Sequence, residues 1–204
     1  MTEITRMPRK PFRKTLILGA TLIALAACQG APAPPSRFAD LRFTGEAPIR
    51  LAVSDIQIVQ GYQPVLQPPH MEERFPVPLA RAARNWAHDR LRAAGSTGMA
   101  IVTITDASAT ATALPKQHGV SAEFTQQADT RYDARVAITV EIRDERGYPV
   151  RMANASAERS HTTLEDATLD QRDHALYQME SELMADLDRR LESAIRDGFN
   201  SYVQ

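Results

Sequence analysis

Cysteine and histidine, the most versatile nucleophiles, bases and metal ligands near neutral pH, are few in this sequence. It has one cysteine, Cys28, and five histidines, at positions 70, 88, 118, 161 and 174. A tetrahedral metal centre is usually announced by paired donors such as His-x-x-x-His or Cys-x-x-Cys, and neither spacing occurs. Asp170 and His174 stand one helical turn apart, which could orient a base or hold a metal, and equally describes a solvated polar helix face. His70-Met71-Glu72-Glu73 lies in a proline-rich stretch and would be a site only if that stretch is ordered. No Gly-x-Ser-x-Gly elbow, P-loop or dinucleotide fingerprint is present. The expectation is a non-enzyme with no catalytic residues, no metal and no cofactor.

Cys28 has a distinctive setting. Residues 1–14 are polar and basic, and residues 15–27 (TLILGATLIALAA) are apolar. Thirteen helical residues span roughly 20 Å, short of a hydrocarbon core of about 30 Å, so the run reads as a secretory signal rather than a transmembrane helix. Leu25-Ala26-Ala27-Cys28 at its end resembles the bacterial lipoprotein lipobox, in which the peptidase cuts before a cysteine already carrying diacylglycerol. The resemblance implies that Cys28 is lipidated with acyl chains such as palmitate. Each buried methylene adds about 0.8 kcal/mol, so several chains make a firm membrane anchor. A plain signal peptide with an incidental cysteine is the alternative. Gln29 follows where the familiar inner-membrane retention signal has aspartate, which leans toward the outer membrane, on the periplasmic side. Residues 9–14 (RKPFRK) bear a fainter likeness to a twin-arginine export signal. With one cysteine, no intramolecular disulfide can form.

Residues 29–36 (QGAPAPPS) read as an extended spacer, so residues 28–48 are assigned to the lipidated cysteine and its spacer and 49–204 to one folded domain. After the leader the chain carries 19 basic and 24 acidic groups, and such a body is not drawn to nucleic acid.

The elements follow from periodicity. Ile49, Leu51 and Val53 alternate as a strand. Ile56 and Ile58 then take the opposite phase, which predicts a bulge or a strand covered on both faces. Five prolines in residues 61–78 exclude helix and central strand there. Residues 79–94 predict a helix with Gly95 as its stop and Trp86 on its apolar stripe, a core residue or, alternatively, a ligand platform. A strand is expected over 99–114, a turn at His118-Gly119 and a short strand over 120–124. Residues 131–143 form the clearest strand: Tyr132, Ala134, Val136, Ile138, Val140 and Ile142 alternate with Arg131, Asp133, Arg135, Thr139, Glu141 and Arg143. Those charges pair across strands or, alternatively, offer an anionic-ligand or partner face, while Ser108, Thr110 and Thr112 make a hydroxyl ladder on a wet face. Asp144-Glu145-Arg146-Gly147 predicts a hairpin turn and a return strand from Val150 to about Arg159. Thr168 and Gln171 match a capping box opening a long helix. Its stripe is Leu169, Leu176, Met179, Leu183, Leu187, Leu191, Ile195 and Phe199, and its end is expected to break or project past a small sheet. The order β-α-β-β-β-α predicts an α+β two-layer sandwich, a mainly antiparallel sheet with two helices packed on one face. Val136, Ile138 and Val140 should meet Trp86, Leu183 and Leu187 in its core.

With the lipobox, the charged-face strand 131–143 and the long helix 169–199, the layout resembles the ABC-type transport auxiliary lipoproteins and the lipopolysaccharide-assembly lipoprotein, both non-catalytic. Trp86-Ala87-His88-Asp89-Arg90-Leu91 is also similar to a segment of uncharacterised alphaproteobacterial lipoproteins, a likeness that implies no activity. The resemblance implies an interaction or auxiliary subunit of an envelope transport or assembly machine, with an envelope protein as partner. The alternative is a periplasmic small-ligand binder or enzyme with an unrecognised site, which a deep polar pocket would favour. Within the loop 61–78, Tyr62, Val65, Leu66, Met71 and Phe75 are candidate apolar anchors for a partner. Covering one sheet edge is their other possible use.

Overall fold

The computed structural model describes residues 37–115 and 127–204. The leader, Cys28, the spacer to residue 36, the turn at His118-Gly119 and the strand expected over 120–124 lie outside those residues.

The first apolar stretch is two strands rather than one. Strand β1 (Ile49–Leu51) and strand β2 (Asp55–Gln60) belong to different sheets, and the phase change at Ser54 is where the chain passes between them. Helix α1 (Leu79–Arg90) ends four residues earlier than its stripe predicts. Leu91 turns extended because strand β3 (Leu91–Ala93) pairs in parallel with β1, a long-range contact that outweighs the local helical pattern. Gly95 therefore does a different job from stopping the helix. A Cβ on it would sit 2.5 Å from the Ala52 carbonyl carbon, so only glycine lets the two backbones close.

Strands β4 (Met99–Ala113), β5 (Ala128–Arg143) and β6 (Pro149–Leu164) form an antiparallel meander, and β2 adds to β4 in parallel, in the order β2-β4-β5-β6. The β5–β6 hairpin turns at residues 144–148 with Gly147 at φ +83°, as its turn chemistry requires. A bulge at Thr105 shifts the β4–β5 register, so the buried face of β4 changes from Ala100, Val102 and Ile104 to Ala107 and Ala109. The alternating face of β5 is buried as expected.

Helix α2 (Leu169–Phe199) opens on the capping box, with Thr168 Oγ1 accepting from the Gln171 N–H and the Gln171 side chain returning to the Thr168 N–H. Its 31 residues span about 46 Å, matched by strands of 16 residues at roughly 3.4 Å each, so it lies along the sheet instead of projecting past it. Ala153, Ala155 and Ala157 on the inner face of β6 leave room for it. Leu176, Met179, Leu183, Leu187, Leu191, Ile195 and Phe199 are buried; Leu169, the first helical residue, is exposed. Both helices lie on one face, giving a two-layer α+β sandwich. Trp86 is fully buried with Val136, Ile138, Val140, Leu183 and Leu187, and its indole N–H donates to Asp188 Oδ1 at 2.7 Å. Arg90, also buried, donates to Asp188 at 2.7 Å and to Glu192, tying α1 to α2.

Residues 37–43, expected to belong to the spacer, instead cross both helices as a strap. Arg37 reaches Asp170 and Asp173, Tyr177 Oη donates to the Ala39 carbonyl, and Asn85 donates to the Leu41 carbonyl. Arg42 grips Asp89 through two hydrogen bonds of 2.8 and 2.5 Å, and this guanidinium holds the Asp89 carboxyl below the usual range.

Candidate functional site

The proline-rich loop 61–78 is built on a polar clamp. It leaves β2 with the Gly61 and Tyr62 N–H groups both donating to the Ile104 carbonyl. Farther along, the Met71 N–H donates to Ala109 O and the Ala111 N–H to Pro69 O, so the loop takes over the β4 edge where β2 ends. Pro68-Pro69 is a cis peptide, and a 3-10 turn at Glu72–Arg74 leads toward α1.

Glu72 organises the outward part of this loop from a buried position. Its Oε1 accepts from Tyr62 Oη at 2.6 Å and from the Val65 N–H at 2.9 Å. Burial alone would raise the Glu72 carboxyl, but the Tyr62 hydroxyl and the N–H groups of Glu72, Val65 and Ala109 hold it below the usual carboxylate range. Burial and the same carboxylate push the Tyr62 phenol well above its ordinary value. His70 Nδ1 stands 3.7 Å from Glu72 Oε2.

This arrangement sorts the five candidate anchors. Met71 and Phe75 are buried in the core, so as partner contacts they are corrected: sealing the β4 edge uses them up. Tyr62 is half-buried and committed to Glu72. Val65 and Leu66 face solvent, Leu66 at 81% exposure, on backbone that Glu72 fixes through the Val65 N–H. Such a loop can display two aliphatic side chains in a set geometry; it brings no reacting pair together.

The remaining candidates are accounted for individually. His174 Nδ1 lies 3.4 Å from Asp170 Oδ2 on an exposed face, and Asp170 also pairs with Arg37. Among the described residues no group of three metal-ligating side chains converges. Ser108, Thr110, Arg131, Asp133, Arg135 and Glu158 line a shallow cleft of about 340 Å³ on the open sheet face. Arg131 is paired with Asp133 at 2.7 Å, and Arg135 with Asp106 at 3.1 Å and with Glu158, so their charge is already answered within the sheet. A second open cleft of about 540 Å³ lies between the end of β6 and the start of α2, lined by His161, Thr163, Asp166 and Gln171 among others.

Sequence reasoning singled out Glu72 only within His70-Met71-Glu72-Glu73, conditional on an ordered loop, and missed Glu180 and the Asp188–Arg90 pair. The signal was available for the helical ones. Glu180 and Asp188 fall at apolar-stripe spacing from Leu176, Leu183 and Leu191, where a charge needs a structural reason.

No family model matches the sequence, and no curated protein matches it. Among solved structures, the chain is similar to a minor lipoprotein from Acinetobacter baumannii, at 14% identity and a TM-score of 0.35, covering 70% of this chain and 93% of that one. It is also similar to the rare lipoprotein B from Shewanella oneidensis, at 11% identity and a TM-score of 0.39, covering 69% and 92%. At these values neither fold detail nor activity is carried over to this chain.

Proposed function

We propose that this chain is a lipid-anchored protein of the bacterial envelope that works by contact, as an interaction or auxiliary subunit on the periplasmic side, with the outer membrane its more favoured attachment. The observation that carries the reading is Leu25-Ala26-Ala27-Cys28 closing a 13-residue apolar run behind a basic leader. An acylated cysteine fixes the body at a membrane without a spanning helix, and none of the described helices is long and apolar enough to span one. The folded part offers such contact a surface, the Glu72-clamped loop on which Val65 and Leu66 are displayed to solvent. Fatty-acid labelling of cells making the wild type and Cys28→Ala tests the anchor. The wild type should be labelled and the variant not, with the body equally folded. A labelled variant, or an unlabelled wild type, defeats the proposal.

A further inference from the structure

Glu180 is the one fully buried charged-type side chain in α2 with neither carboxylate oxygen hydrogen-bonded among the described residues. One turn before it on α2, Tyr177 holds the Ala39 carbonyl of the strap, and Val77 before α1 and Asp40 of the strap both act on its carboxyl. Few ionisable groups face it. Asp40 on the strap repels its negative form, and Arg81 of α1 pairs with Asp40 at 3.7 Å rather than with Glu180. The turn before α1 presents the Val77 backbone N–H, which favours the ionised form without reaching hydrogen-bond geometry, and no cation lies within 4 Å of the carboxylate among the described residues. An unpaired buried carboxylate is costly, and the cheapest relief is to admit water.

The strap is tied to both helices through side chains. Its residues are exposed or half-buried, and it is held by exposed pairs of Arg37 and Arg81, by Arg42 and the Phe43 N–H on the buried Asp89, and by Leu41 and Phe43 resting on the core, outside the sheet ladders. We propose that residues 37–43 are a releasable strap whose docking on α1 and α2 requires Glu180 to carry its proton, so that ionising this carboxyl frees the strap while the sandwich stays folded. Burial, with Asp40 adding to it, pushes the Glu180 carboxyl up to about 8, which puts the switch in a range a periplasmic protein can meet. On the function proposed above, the strap lies between an anchored Cys28 and the sandwich, so its release lengthens that connection. Seven residues add up to about 24 Å of reach.

Backbone hydrogen exchange of the full chain, corrected for the intrinsic pH dependence of exchange, tests this. The Phe43 N–H, bonded to Asp89 Oδ2 at 2.9 Å, reports strap docking, and amides in the middle of β5 report the sandwich. Above the Glu180 titration, Phe43 protection should fall about tenfold per pH unit while the β5 amides hold. Glu180→Gln should keep Phe43 protected throughout, and Glu180→Met serves if the glutamine variant does not fold. The proposal is overturned by Phe43 protection that stays flat, by strap and β5 amides opening together, by opening at the first turn of α1 with the strap still docked, or by the same loss in the variants.

Discussion

Glu72 and Glu180 are both buried, and their surroundings give them opposite protonation behaviour. For Glu72 the folded value lies below the ordinary 4.5, so its contribution to stability is present above that value and is lost as pH falls through the lower folded one. Glu180 is raised to about 8, so folding binds a proton that the unfolded chain releases near 4.5, and stability declines as pH rises between the two. Glu72→Gln should destabilise by about 1–3 kcal/mol at neutral pH, because an amide nitrogen then faces the Ala109 N–H or displaces the acceptor of Tyr62 and Val65. The variant should also lose the acid-side slope. Glu180→Gln should instead raise the melting temperature most on the alkaline side and flatten the curve there. Melting curves of both variants across pH decide the matter, and parallel profiles for wild type and either variant would refute the corresponding assignment.

At the scale of elements, the β5 strand and the two helices hold one another in register. Val136, Ile138 and Val140 are fully buried against Trp86, Leu183 and Leu187, each aliphatic side chain stabilising by about 1.5–3 kcal/mol. Ile138→Ala should therefore cost about 2–4 kcal/mol in denaturant unfolding with an unchanged m-value, and a midpoint equal to wild type would contradict the packing. What the sequence could reveal of this layer follows from how local each cause is. The alternation at 132–142 and the Thr168–Gln171 cap are written within a few residues of where they act, so both are legible. The end of α1 is not, because Leu91 becomes extended only when β1, some forty residues earlier, pairs with it. The Thr105 bulge escaped for a similar reason: its signature is a phase change in a run of small and β-branched residues that all tolerate either face. In the candidate loop the prolines announced irregular backbone, but Glu72 gave no local sign of being buried. Which of the five apolar anchors the fold would absorb was therefore hidden until the β4 edge was in place.

For the molecule as a whole, sealing an edge and displaying a contact are separable tasks carried by neighbouring residues of one loop. Met71 and Phe75 close the β4 edge from the inside, and the Tyr62–Glu72 bond fixes the outward turn. Val65 and Leu66 add little to the core and stand outside on a clamped backbone, where they either serve a contact or serve nothing. Isolated exposed aliphatics are ordinary on protein surfaces, and the distinction rests on energetics. Exchanging both for serine removes apolar surface that folding does not bury, so stability should change by no more than about 0.5 kcal/mol. If contact is their use, Val65→Ser with Leu66→Ser in the full-length protein should abolish in-cell crosslinks formed from a photoreactive residue at the adjacent position Gln67. Met71→Ser alone should instead lower the melting temperature by several degrees, since it opens the sealed edge. Retained crosslinks to the same protein in the double variant would assign contact elsewhere on the surface. A large loss of stability in that variant would make these two residues part of the fold after all.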